Sequence, residues 1–320
     1  MKRVLVIGLG QLGLPVAKYI QGIGSTRGFE VYGYDIRKEA MDRAWQSAGI
    51  MKAADFNNFD VYIICIATHK SDDIFRPDTS GVFSVVDRIS KEGNDGALVS
   101  IESTVPKGTT RKIAEILGHR MHVVHTPHRW YVHEEKEHGV NQLRVIGGVE
   151  ECCLHEGMMF YGDRSGELAG HEEQARSLGL GIPIHPVKNV EIAELTKVIE
   201  NAHRYLQIAF AEDLYLYCAA NDLDFWELRS ALNTKWNVQI LEPREGIGGH
   251  CLPKDTRMFV ESSSLMRSKI LLAALDVDRD YRKAIVDHRH HHVLQNGAPR
   301  VVDGNANTTP GTATTTAIGT

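Results

Sequence analysis

The opening stretch MKRVLVIGLGQLGLPVA places three glycines between a strand pattern and a helix pattern. Val4 to Ile7 is a short apolar run bounded by glycine, and Leu14 to Ile20 continues at helical spacing after one proline near the first turn. Gly8, Gly10 and Gly13 thus fall where a strand–turn–helix unit needs a tight turn, a close backbone approach and a helix N-terminus aimed at an anion. The GxGxxG pattern is weak alone, but in this order it points to a dinucleotide pyrophosphate, with Gln11 and Leu12 completing the turn. A second strand, FEVYGYD, ends at Asp35, about 20 residues on, where a carboxylate can accept hydrogen bonds from the adenosine ribose. That charge repels a 2′-phosphate, so NAD is the expected cofactor. Arg37 leaves NADP open, and a flavin or a non-nucleotide α/β protein is the bland alternative.

Further strand patterns cover 60–68, 96–104 and 122–127, with helical stretches around 38–53, 79–92 and 108–118 between them. This alternation predicts an α/β fold with a doubly wound, Rossmann-like parallel sheet. Ligands bind such sheets at the carboxyl ends of the strands, which brings Thr68, Ser103, Thr104 and Thr126 forward. Thr104 reads equally well as a turn residue before Pro106.

From Glu191 to Ala220 there is neither proline nor glycine, so a helix of about 30 residues, ~45 Å long, is expected. A helix of that length joins domains or packs against its twin, which predicts a homodimer. Glu194, Lys197, Asn201 and Arg204 share one of its faces; a solvated polar face is the plain reading and a site the sharper one. The boundaries follow as a dinucleotide domain over 1–186, a helical domain over 187–288 and a disordered tail over 289–320.

Composition narrows the partners. A net charge of -5 over 320 residues, without a long basic run, argues against nucleic acid. The first residues imitate a signal peptide, but the glycines break the apolar run and no other segment reaches membrane-spanning length. Five cysteines, odd in number and without CxxC spacing, suggest neither a disulfide framework nor a zinc site, and fit a reducing cytoplasm. A histidine cluster at His288 and His290 to His292 reads as solvated, so no metal is expected.

One cysteine differs from the rest. In GIGGHCLPKD, Gly248 and Gly249 let backbone approach a ligand, and Cys251 beside Lys254 reads as a nucleophile whose thiolate is favoured. Cys65, Cys152, Cys153 and Cys218 read as structural or incidental.

Taken together, VIGLGQLGLPVA, ESTVPKGTT, AELTKVIENAHRYLQIAFAEDL and NTKWNVQILEPREGIGGHCLPKD resemble the UDP-glucose/GDP-mannose dehydrogenase family, and the last two its UDP-N-acetylhexosamine dehydrogenase branch. The resemblance runs with gaps from residue 1 to about residue 285. It implies oxidation of a sugar C6 alcohol to a carboxylate, with Cys251 carrying a thiohemiacetal and then a thioester. By the same resemblance Lys197 and Asn201 stabilise the alkoxide or oxyanion, Asp255 and Thr104 arrange water and proton transfers, and Arg129, Trp130 and Arg204 join Gly248 and Gly249 around the substrate. Three features depart from the family. His128 in TPHRW stands where an acidic residue is expected, and offers a general base for thioester hydrolysis. WNVQ puts Asn237 where the branch has an arginine, and the family's C-terminal nucleotide-binding domain has no counterpart here. Two alternatives remain: a two-electron 3-hydroxyacid-type dehydrogenase, which needs no cysteine nucleophile, and a degenerate NAD-binding regulatory or assembly protein.

Overall fold

The computed structural model describes residues 1–70, 73, 76–129, 139–162, 179–249, 251–262 and 268–296, the last nine as helical backbone. Eight strands form one sheet: β1 (Lys2–Ile7), β2 (Phe29–Tyr34), β3 (Met51–Lys52), β4 (Val61–Ile64), β5 (Leu98–Ile101), β6 (His122–His125), β7 (Arg144–Gly148) and β8 (Ile184–Val187). Their order is β3-β2-β1-β4-β5-β6-β7-β8, and every neighbouring pair is parallel except β6 and β7. The first six strands have the order of a dinucleotide-binding sheet, which reverses direction between β1 and β4.

Strand periodicity explains why this sheet is covered on both faces. Val4, Val6 and Ile63 join Val16 and Ile20 of α1 (Gly13–Arg27) in one core. Leu5, Ile7, Tyr62 and Ile64 join Val82 and Val86 of α3 (Ser80–Glu92) and Ile113 of α4 (Thr109–Ile116) in the other. Alternate residues of one apolar run serve opposite layers, as expected of parallel strands buried on both sides. The helical stretch expected over 38–53 is shorter: α2 (Lys38–Ala48) stops at Gly49, whose φ of 65° closes the helix and frees Met51 and Lys52 to pair with β2.

Beyond the sheet, α5 (Glu151–Tyr161) packs back on β6 and β7. The 31-residue α6 (Val190–Ala220) follows, started by Asn189, whose side chain accepts from Glu191 N at 3.0 Å. Next come α7 (Phe225–Leu232), α8 (Cys251–Glu261) and α9 (Lys269–Asn296), and both α8 and α9 pack on α6. α9 continues past residue 289, where the disordered tail was expected to begin, because nothing from Lys269 to Asn296 is proline or glycine. The remainder of that tail lies outside the described residues. Among the described residues, no helix is long and apolar enough to cross a membrane.

Candidate functional site

The glycine turn is built by close contacts. Gly8 has φ 90°, and a Cβ there would lie 2.6 Å from the Cys65 carbonyl oxygen just past the end of neighbouring β4; a Cβ on Gly13 would lie 1.8 Å from Gly8 O. A Cβ on Gly10 would meet nothing within 4 Å, so that glycine faces open space at the mouth of the turn. Asp35, buried at the end of β2, accepts from Leu9 N at 2.9 Å and from Arg37 N at 2.9 Å. Burial works against its charge, but bonds from Arg37 and Leu9 hold the carboxyl below its ordinary range. The exposed Arg37 guanidinium covers the same carboxylate, so a ribose hydroxyl would compete with a side chain able to swing into solvent. The turn, the open face at Gly10 and the carboxylate fit a dinucleotide, and bound NAD would lie along Gly8, Gly10, Gln11, Leu12 and Gly13 toward Asp35.

At the carboxyl ends of β4 and β5 the chain leaves the sheet. Ser103 Oγ accepts from Ile66 N at 2.7 Å and ties the two strand ends together. Thr68 Oγ1 donates to Thr104 O at 2.7 Å. Onto this pair α8 brings Lys254, whose buried Nζ lies 3.5 Å from Thr68 Oγ1 and 2.7 Å from Asp255 Oδ1. Asp255 Oδ2 in turn accepts from Asn201 Nδ2 of α6. A continuous polar chain therefore runs from Thr104 through Thr68, Lys254 and Asp255 to Asn201, joining sheet, α8 and α6. Cys251 begins α8, and Lys197 lies one turn before Asn201. The positive charge of Lys197 is felt at Cys251 and at His128 alike.

The thiolate expectation is corrected. Cys251 is exposed as a residue, but desolvation at the sulfur, then the Asp255 carboxylate, push its thiol above the ordinary range, against the weaker pull of Lys254 and Lys197. Lys254 is committed to Asp255, so the resting cysteine is a thiol.

His128 belongs to a buried cluster. Its Nε2 meets Glu102 Oε2, while Glu102 Oε1 takes Arg144 Nη1 at 3.1 Å and Tyr161 OH at 2.5 Å. Burial opposes the Glu102 charge, but Arg144 and then His128 bring its pKa to about 2. Burial, then Arg144, lower the His128 pKa, so the ring is neutral near neutral pH. With Nε2 facing a carboxylate, the proton stays there and Nδ1 is the basic nitrogen. Cys65, Glu102 and His128 converge like metal ligands, but Arg144 already balances the carboxylate. A second such set, His122 with Cys152 and Cys153, lies at the opposite end of the sheet.

The expected substrate residues scatter. Arg129 pairs with Glu200 of α6 and donates to Leu143 O at 3.2 Å, Arg204 is exposed, and Trp130 lies outside the described residues. Gly248 and Gly249 are exposed, with room for a Cβ, although Gly249 has φ 73°. Glu194 is fully buried and closes the start of α4: its oxygens accept from Gly108 N at 2.6 Å and Thr110 N at 2.7 Å. Glu102, Arg144 and Tyr161 escaped the sequence reading, and Lys254 entered it as a charge beside Cys251, not as the buried partner of Asp255 and Thr68. The signal for that pairing was a lysine on the apolar face of a helix beginning at the cysteine.

Two family models match, the UDP-glucose/GDP-mannose dehydrogenase family's NAD binding domain over residues 50–163 and its central domain over residues 191–279. The chain belongs to the UDP-glucose/GDP-mannose dehydrogenase family. It is 29% identical over 300 residues to the UDP-N-acetyl-D-mannosamine dehydrogenase of Methanococcus maripaludis, covering 87% of this chain and 65% of the relative. It is 32% identical over 291 residues to the enzyme of that name from Pyrococcus horikoshii, covering 82% and 64%. The solved UDP-D-ManNAc dehydrogenase of Pyrococcus horikoshii superposes with a TM-score of 0.73 at 26% identity, covering 92% of this chain and 72% of that one. The chain thus spans 64 to 65% of the length of these two curated relatives.

Proposed function

We propose that this protein is an NAD-dependent nucleotide-sugar 6-dehydrogenase. The observation that carries the reading is the reach of Lys254 to Thr68: it seats the helix that begins with Cys251 on the crevice where the glycine turn opens. Cytoplasmic work, a small nucleotide-sugar substrate and a homodimer through α6 belong to the same proposal. So does the division into a cofactor unit over 1–186 and a helical unit over 187–288.

Bound NAD would accept one hydride in each of two oxidations, a second NAD replacing the first NADH; the first oxidation takes hydride from C6 and releases the hydroxyl proton to solvent, leaving the aldehyde. Cys251 loses its proton and its sulfur adds to the C6 aldehyde, giving a thiohemiacetal; loss of hydride from that carbon leaves a thioester. Water then cleaves the C–S bond, returning the thiol and releasing the carboxylate. Lys197 and the Asn201 amide serve the developing oxyanion as donors, and Asp255, held by Lys254, accepts from Asn201 and so orients that amide, and takes the proton of the thiol. His128 activates the hydrolytic water through Nδ1, its other nitrogen occupied by Glu102. Thr104 helps to place that water, and Gly248 and Gly249 leave room for the sugar. Arg129, Trp130 and Arg204 are the proposed substrate contacts.

The test incubates the protein with NAD and mixed UDP-hexoses and UDP-N-acetylhexosamines, following NADH absorbance and intact mass. A substrate-sized adduct on Cys251, or two NADH per sugar consumed, supports the reading; neither product from any sugar overturns it. His128→Ala is expected to release one burst of NADH and stall, and normal turnover by that variant removes His128 from hydrolysis.

A further inference from the structure

The glycine loop that leads into Cys251 is held from behind by two side chains of α9. Asp278 Oδ1 accepts from Ile247 N at 2.9 Å, and Arg282 donates from Nη2 to Ile247 O. Both polar backbone groups of a residue four positions before the cysteine are thereby fixed. The clamp is internally paired, since Arg282 Nε also donates to Asp278 Oδ1 at 2.9 Å and Tyr205 OH of α6 donates to Asp278 Oδ2 at 2.9 Å. Gly246, with φ 94°, lets Arg282 lie across the loop: a Cβ there would be 2.8 Å from Arg282 Cγ. The Ile247 side chain completes the anchor in a small core with Tyr205, Ala209 and Ala274.

Behind the clamp lies a carboxyl group without a hydrogen-bond donor. Glu212, two turns along α6 from Tyr205, is fully buried and accepts no hydrogen bond; its carboxyl meets that of Asp278, a contact that is a hydrogen bond only with a proton between them. The charged and titratable groups that act on it are Asp278 and Arg282 from α9 and Tyr205 from its own helix. A second buried carboxylate beside Asp278 would be repelled by it and left without a donor, so this geometry is stable only while Glu212 holds a proton. Burial first, then Asp278, push the Glu212 pKa up to about 8, within the range where enzymes work.

We propose that Glu212, Asp278 and Arg282 form a proton-dependent latch on the GIGG loop, holding it against α9 while Glu212 is protonated and freeing it when Glu212 ionises. On ionisation the new charge draws Arg282 away from Ile247 O and drives Asp278 away from Ile247 N, so the support of Cys251 is lost at both ends of one peptide unit. These are positioning residues. That the latch governs turnover rests on the reading of Cys251 as the nucleophile, whereas the latch itself does not.

Hydrogen exchange read by mass spectrometry on the peptide containing Ile247, from pH 6 to 9.5, tests it, with a β5 peptide as internal reference. In the unaltered protein, protection of the Ile247 peptide relative to β5 is expected to fall by about tenfold between pH 7 and pH 9. Glu212→Gln, which cannot ionise, is expected to keep its protection flat. A constant relative protection in the unaltered protein overturns the latch without any variant, and so does a fall that Glu212→Gln reproduces. NADH formation at pH 7 separates the two proposals: a pH-responsive loop without turnover on any sugar refutes the dehydrogenase, and turnover with an unresponsive loop refutes the latch alone.

Discussion

At the scale of single residues, the reactivity of Cys251 is set by its neighbours. Desolvation at the sulfur and Asp255 raise the thiol pKa, so the rate of iodoacetamide alkylation at the exposed Cys251, followed peptide by peptide, is expected to climb with a midpoint above the ordinary cysteine value of 9.0. Asp255→Asn removes a negative charge and leaves Lys254 unpaired beside the sulfur, and both changes favour the thiolate. Its midpoint should therefore move down; an unchanged midpoint would show that the carboxylate is not the cause. The glycine turn offers a paired prediction. Gly8→Ala forces a Cβ against the Cys65 carbonyl at a positive φ and is expected to cost at least about 2 kcal/mol in denaturant unfolding. Gly10→Ala meets open space and should stay within about 0.5 kcal/mol of the parent, yet weaken NAD binding in titration calorimetry. Equal effects of the two variants on stability would refute the assignment of Gly8 to packing and Gly10 to ligand approach.

At the scale of elements, α6 carries two kinds of information on one cylinder. Val198, Ala202, Tyr205 and Ala209 are buried, the last two in the core shared with α9, while Ile192, Ile199, Phe210 and Tyr217 are exposed. Steps of seven, eleven and seven residues return within about 20° of one another, so the exposed four form a straight apolar stripe. Such a stripe suits an antiparallel or crossed copy of the same helix. Light scattering at micromolar concentration is expected to show a dimer, and Phe210→Asp with Tyr217→Asp together a monomer; a monomeric parent would sink the assignment. The existence of α6 was legible because helix periodicity ran for 30 residues without a breaker, and β1, β2, β4, β5 and β6 were legible because their apolar runs are local, whereas the two residues of β3 fell inside the helix expected over 38–53. What escaped depends on contacts distant in sequence. β7 is a strand through pairing with β6 and β8. Glu194 shares a face with Lys197 and Asn201, yet its partners are backbone amides 84 and 86 residues away, at the start of α4. The lysine in LPKD was visible, but its commitment to Asp255 and Thr68 required the fold.

At the scale of the whole molecule, buried titratable groups pull stability in opposite directions with pH. His125 is fully buried with neither ring nitrogen hydrogen-bonded, and burial lowers its pKa from 6.5 to about 3; the His128 pKa is lowered too. Both are neutral in the folded protein and protonated in the unfolded chain below pH 6.5, so stability falls as pH drops through that value. Glu102, at about 2 against an ordinary 4.5, adds a further loss on the acid side below pH 4.5. Glu212 acts the other way: with a folded pKa of about 8 it keeps a proton that the unfolded chain gives up above 4.5, so its contribution declines from pH 4.5 to pH 8. Glu194, raised by burial, strengthens that decline just above 4.5. Below pH 6.5 the histidines oppose Glu212, and above it only Glu212 is left, so the melting temperature is expected to fall from pH 6.5 to pH 8. Glu212→Gln should remove the alkaline limb, raising the melting temperature at pH 8 more than at pH 5 in scanning calorimetry. A parent whose stability keeps rising from pH 6.5 to 8 would mean that Glu212 is ionised in the fold, and that Asp278 and Arg282 hold Ile247 without a proton behind them.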